Sequence, residues 1–184
     1  MRRFVSRAGE KLDFALAEFA VEVNGFVCAD FGANAGGFTD CLLQRGAARV
    51  YAIDTGYGAL EWKLRKDPRV VVRERTNAMH AALPEAVDLV TIDVAWTKQR
   101  HILPAARRVL KPAAHVVSLI KPHYEADPQL LVEGVLPEAK LGLVLDNVKR
   151  EIAASGFEVA RTVASPILGA KGNHEVLALL RAAS

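Results

Sequence analysis

Five short apolar runs, each halted by a glycine, an acid or a lysine, constrain what this chain can fold into more than any other feature. They are "FVCADFG", "RVYAID", "RVVVRE", "AVDLVTIDV" and "AAHVVSLIK". Each is shorter than a typical helix and rich in valine and isoleucine, so each reads as a buried strand. The stretches around them carry helical spacing: "GEKLDFALAEFAV", "FTDCLLQRG", "HILPAARRVL" and "KLGLVLDNVKREIAASG". Strands alternating with helices imply a parallel sheet covered on both faces. An apolar fraction of 51% with only 7% aromatics suits such helix-on-sheet packing. The ending breaks the rhythm. "FEVARTVAS" and "HEVLALLRAA" are joined by the turn-rich "PILGAKGN", which leaves no room for a crossover helix, so the final strand is expected to enter antiparallel.

The expected architecture is therefore α/β: a doubly wound, mostly parallel seven-stranded sheet with an antiparallel final strand. It forms one domain over residues 1–184, with residues 1–24 as a lead-in helix. This is the Rossmann-like arrangement used by class I methyltransferases, and function must still come from the site. No run of about 18 uncharged apolar residues occurs, so no membrane-spanning helix is expected. "MRRFVSRAGEK" has no apolar segment behind its basic residues, so no signal peptide is expected. Cys28 in a strand and Cys41 in the next helix read as small buried residues of a reducing cytosol. The five histidines lack ligand spacing, so no metal site is expected.

In such sheets the ligand binds beyond the carboxyl ends of the strands, at the first strand–helix turn. Here that turn is "DFGANAGGFTD", Asp30 to Asp40. Gly32, Gly36 and Gly37 let backbone approach a ligand closely and permit positive φ. The helix that follows offers unpaired N–H groups. The spacing fits neither the dinucleotide fingerprint nor the phosphate loop of nucleotide hydrolases. An acid before the turn, with glycines so placed, is the first motif of methyltransferases. Ordinary tight turns also use glycine, so the loop alone is weak. Asp54, ending the second strand next to Thr55, can accept both ribose hydroxyls of a nucleoside. Loop and carboxylate together favour S-adenosylmethionine over NAD, with Gly32, Ala33, Asn34, Gly36, Gly37, Phe38, Asp54, Thr55, Asn77 and Asp93 as its expected contacts. Asn77 follows the third strand, where an amide could meet adenine, although such residues more often cap turns.

Lys121 closes the strand "HVVSLIK". A lysine there needs a carboxylate partner or must lose its proton, unless it snorkels to the surface. Asp93, ending the neighbouring fourth strand, is the expected partner.

"VSRAGEKL", the block from Gly32 to Asn77, "TIDV", "IKPHYE" and "KGNHE" together resemble the TlyA-type (hemolysin-A-like) ribosomal RNA methyltransferases of the FtsJ/RrmJ-like superfamily. The resemblance implies methyl transfer from S-adenosylmethionine to a ribose 2′-hydroxyl, with rRNA or a ribosomal particle as partner in the cytoplasm. It maps the family's Lys-Asp-Lys-Glu tetrad onto Lys11, Asp93, Lys121 and Glu175. Lys121 would contact the hydroxyl, as a base or as a cation, with Asp93 and Glu175 orienting it and Lys11 completing the network. There are departures: Ala8-Gly9 where two glycines are usual, and "VAW" after Asp93 where "VSF" is usual. Family members usually carry a small N-terminal RNA-binding domain, and this chain is expected to begin almost at the catalytic one.

The net charge of +3 is unevenly spread. Residues 96–111 hold five Lys or Arg and no acid, and residues 62–75 hold six against two acids; both are expected to hold RNA phosphates unless they are solvated faces. Residues 124–138 hold four acids and are expected to repel RNA. Two other classes remain: a methyltransferase of a small molecule or protein, which needs an enclosed pocket, and a non-catalytic binding module or membrane-active protein.

Overall fold

A computed structural model describes residues 3–183. Its helices of four residues or more are α1 (Arg7–Phe19), α2 (Gly37–Gln44), α3 (Trp62–Arg65), α4 (Gln99–Val109), α5 (Pro122–Glu125) and α6 (Glu138–Ala154). Its strands are β1 (Val27–Phe31), β2 (Arg49–Ile53), β3 (Val70–Arg73), β4 (Val87–Ile92), β5 (Leu110–Ile120), β6 (Phe157–Ala164) and β7 (Val176–Ala182). They form one seven-stranded sheet in the order β3-β2-β1-β4-β5-β7-β6. Strands β1 to β5 run parallel, and β7 is antiparallel to both β5 and β6. The reversed last strand is thus as expected, but it is inserted between β5 and β6 rather than added at the edge.

Alternation of side chains along the strands builds two cores. Ala29, Phe31, Tyr51, Ile53, Val90 and Ile92 face α4 and α6. Cys28, Val50, Ala52, Leu89, Val117 and Leu119 face α1 and α2. The second layer is unusually close, for a local reason. A Cβ on Gly37 would lie 2.2 Å from Ser6 Oγ and 2.9 Å from the Gly9 nitrogen, and one on Gly9 would lie 2.9 Å from the Gly37 oxygen. Backbone therefore meets backbone where α1 crosses α2. Ser6 caps α1 by accepting from the Ala8 N–H.

Two short helices, α3 and α5, were not foreseen, because four residues carry no readable period. Helix α4 passes into β5 without a loop, so β5 begins at Leu110, earlier than "AAHVVSLIK" suggests. Among the described residues no helix is long and apolar enough to cross a membrane.

Candidate active site

The sheet topology delivers the candidate side chains to one edge. Asp54, Asp93 and Lys121 each occupy the first position beyond the carboxyl end of β2, β4 and β5. Strands β1 and β4 are neighbours whose chains depart to opposite sides, which opens a crevice between their ends. Glu175 lies just before β7 rather than within it. Because β7 is reversed, its start is at this same edge.

Two hollows of about 470 Å³ and 200 Å³ share Gly32, Asn34, Asp93 and Ala95, so they are lobes of one groove. The larger is also lined by Asp54, Thr55, Asn77 and Trp96. The smaller is lined by Ala33, Gly37, Phe38, Ser6 and Lys121. Asp54 is pre-set by backbone: Oδ2 accepts from the Asn34 N–H at 2.9 Å and Oδ1 from the Gly56 N–H at 2.7 Å. A carboxylate has about four lone-pair sites, so two remain for a ligand. Asn77 Oδ1 caps the following turn by accepting from the Met79 N–H at 2.9 Å, which leaves its amide N–H₂ for the cleft.

The glycines divide by role. A Cβ on Gly32 would lie 2.4 Å from the Asp93 carbonyl oxygen, so this glycine lets β1 and β4 end side by side. Gly36 lines neither lobe. Its φ is +96°, and a Cβ there would strike Leu64 at 2.2 Å and Leu60 at 2.7 Å. It shapes the turn and packs under α3. Phe38 is buried and belongs mainly to the core.

The four residues of the expected tetrad form two ion pairs. Lys121 Nζ lies 2.6 Å from Asp93 Oδ1 and donates to the Val94 carbonyl oxygen at 3.3 Å. Lys11 Nζ lies 2.5 Å from Glu175 Oε2, both largely buried. Glu175 therefore holds Lys11, not Lys121. Gly169 is the residue that sequence reasoning missed here: a Cβ at that position would overlap Glu175 Oε1 at 2.2 Å, so its bareness makes room for the carboxylate. The signal was the glycine in "PILGAKGN".

Behind this edge are two buried carboxyls. Asp30 accepts from Thr39 Oγ1 at 2.7 Å and Thr91 Oγ1 at 3.1 Å, tying β1 to α2 and β4; burial pushes its pKa up to about 7. Glu125 caps α4 from outside, Oε1 accepting from the Gln99 N–H at 2.9 Å, and burial pushes it too up to about 7. The acidic stretch 124–138 thus turns one of its four acids inward.

The basic segment 96–111 is occupied with the fold itself. Lys98 donates to the Glu125 carbonyl, Arg100 pairs with Glu151, and Lys111 pairs with Asp88. Arg107 donates to the Gly156 carbonyl and Arg108 to those of Met79 and Pro104. Since α4 runs back from the crevice, Arg107, Arg108 and Lys111 lie at the opposite end of the sheet. In this segment the bland reading of a structural face wins.

Fold and edge together define a Rossmann-like methyltransferase. The FtsJ-like methyltransferase family matches residues 4–182, and the chain belongs to it. It is 43% identical over 183 residues to YqxC of Bacillus subtilis, covering 95% of this chain and 64% of YqxC. It is 42% identical over 196 residues to the 16S/23S rRNA (cytidine-2′-O)-methyltransferase TlyA of Mycobacterium tuberculosis, covering 98% of this chain and 69% of TlyA. A solved protein of Streptococcus thermophilus that carries a hemolysin name superposes with a TM-score of 0.96 at 39% identity, covering all of this chain and 69% of that one. The chain thus spans roughly two thirds of the length of the relatives it matches.

Proposed function

We propose that this chain transfers a methyl group from S-adenosylmethionine to a ribose 2′-hydroxyl of RNA, ribosomal RNA in particular, in the cytoplasm. The observation that carries the reading is the Lys121–Asp93 pair at 2.6 Å, set on the wall shared with the Asp54-lined cleft. The donor fits the residues present. Asp54 keeps two acceptor sites for ribose hydroxyls, Asn77 keeps its N–H₂ for a base, and the start of α2, at Gly37 and Phe38 in the smaller lobe, offers backbone N–H groups that suit a carboxylate tail. When bound, S-adenosylmethionine supplies a methyl group activated on its sulfonium.

The chain's own contribution is orientation and charge. An ammonium has three donors. Lys121 commits one to Asp93 and one to the Val94 carbonyl, which leaves the third for the acceptor oxygen. As the hydroxyl gives its proton to solvent and its oxygen takes the methyl group, the sulfonium sulfur leaving as a neutral thioether, that fixed donor stabilises the charge on oxygen. Lys11 and Glu175 brace the same edge from α1 and the start of β7. The groove is open, with Trp96 79% exposed on its wall, which favours a large acceptor over an enclosed small molecule. The name of the Mycobacterium tuberculosis relative supports RNA as that acceptor.

Isolated rRNA incubated with the protein and tritiated S-adenosylmethionine is expected to gain label on ribose. Label confined to bases, or transfer only to proteins or small molecules, would overturn the reading.

A further inference from the structure

Two of the most exposed large side chains stand beside the donor cleft, one on the turn after β2 and one at the start of α3. Tyr57 is 72% exposed and Trp62 67%. Exposed aromatic rings cost free energy unless something covers them. Each has a cation over one face: the Arg75 guanidinium lies 4.2 Å from the Tyr57 ring centre, and Lys66 Nζ lies 5.0 Å from that of Trp62. Their other faces are left to solvent.

The charges around them are selective. Lys63, Arg65 and Arg69 are paired with Asp40, Glu74 and Asp67. Among the described residues, the exposed Lys66, Arg73 and Arg75 have no carboxylate within ion-pairing distance. Two of those three unneutralised cations are the ones over the rings. The platform is also held in shape. Glu74 accepts from the Gly58 N–H at 3.0 Å and from Arg65, and the Arg75 N–H donates to the Gly56 carbonyl at 3.0 Å. Leu60 and Leu64 anchor the same segment in the core.

We propose that this rim binds a single-stranded stretch of RNA flanking the acceptor nucleotide, Tyr57 and Trp62 stacking on unpaired bases while Lys66, Arg73 and Arg75 meet the phosphates. The inference rests on the RNA methyltransferase reading and adds where the strand runs. An unneutralised cation beside an open ring matches a nucleotide, which brings a phosphate and a flat base together. A duplex would use only the cations. A protein partner would want a continuous apolar patch, and here charge separates the rings. Gly56 and Ala59, on either side of Tyr57, line the donor cleft, so the rim begins at its mouth. Strand β2 lies three positions from β5, a span of about 14 Å at ~4.8 Å per strand, so the strand would reach Tyr57 a few nucleotides from Lys121.

The test is binding of fluorescent ~12-nucleotide RNA, single-stranded and as a duplex, to the parent chain and to Tyr57→Ala/Trp62→Ala. Single-strand affinity is expected to fall about 5- to 100-fold per ring, with duplex affinity and the salt slope nearly unchanged. Tyr57→Phe/Trp62→Phe is expected to bind single strands almost as the parent does, because it keeps the stacking faces. Donor affinity, measured alongside, is expected to be equal in all variants, since neither ring lines the cleft. Parental single-strand affinity in the alanine variant, or equal losses for duplex and single strand, would overturn the proposal. Methylation of rRNA by the parent separates the two readings. Loss of single-strand binding in a chain that methylates no ribose would keep the rim and sink the catalytic reading.

Discussion

At the scale of single residues, the proposed function assigns donor binding and transfer to different side chains of the groove. Asp54→Ala removes the carboxylate that the Asn34 and Gly56 N–H groups hold toward the cleft. It is expected to weaken S-adenosylmethionine at least tenfold by calorimetry, at roughly 1.5–3 kcal/mol for hydrogen bonds to a charged group. Wild-type affinity would refute the donor site. Lys121→Ala is expected to abolish transfer to RNA with donor affinity near parental. Lys121→Arg is expected to fail as well, because a planar fork does not replace a compact ammonium held by Asp93 and the Val94 carbonyl. Turnover at the parental rate in either variant would remove Lys121 from the mechanism. Glu125 allows a pH test with a definite sign. Its folded pKa of about 7 lies above its ordinary value of about 4.5, so burial of its charge costs stability fully above pH 7. That cost declines as pH falls from 7 to 4.5 and is gone below. Glu125→Gln keeps an oxygen for the Gln99 N–H without the charge. It is expected to be more stable than the parent by ~1–3 kcal/mol at pH 8 and nearly equal to it at pH 4 in urea unfolding. A difference independent of pH would show that Glu125 is not buried as a charge.

At the scale of elements, α1 and α2 cross in close contact, where Gly9 and Gly37 let backbones touch. Gly37→Ala would drive a methyl group into Ser6, Ala8 and the Gly9 nitrogen. The expected cost is ~1–3 kcal/mol, read from the denaturant midpoint, together with weaker methyl transfer, because α1 also carries Lys11. An unaltered midpoint would mean that the helices part freely. The strand–helix alternation, the reversed final strand and the ends of β2, β4 and β5 were legible in sequence, because apolar periodicity and abrupt termination are local signals. The pairing of Lys11 with Glu175 rather than Lys121 with Glu175 was not legible. It depends on where β7 enters the sheet, a contact across 164 positions. The packing of Gly36 was not legible for a related reason: positive φ is visible in a pattern, but the leucines that fill its far side arrive from α3 and the turn before it. Likewise, five cations in residues 96–111 look like a binding face until each is seen engaged by a neighbouring carbonyl or carboxylate.

At the scale of the whole molecule, the proposed RNA path runs on the β3 side of the crevice, where Lys66, Arg73 and Arg75 have no carboxylate partner among the described residues. Arg107→Glu/Arg108→Glu is therefore expected to leave RNA affinity unaltered while lowering stability, since both side chains are engaged with backbone carbonyls, of Gly156 and Met79. Arg73→Glu/Arg75→Glu is expected to weaken RNA binding and to reduce the slope of log K against log salt by about two. The reverse outcome, with loss at Arg107 and Arg108 only, would place the RNA on the opposite edge. The insertion of β7 between β5 and β6 has a further consequence, in the order of synthesis. Until residues 175–182 have left the ribosome, β5 presents a bare edge and Lys11, 164 positions earlier in the chain than Glu175, waits without its carboxylate. A nascent chain thus has its glycine turn, Asp54, Asp93 and Lys121 synthesised before the strand that completes its sheet. The strand inserted between β5 and β6 decides when the Lys11–Glu175 pair can form.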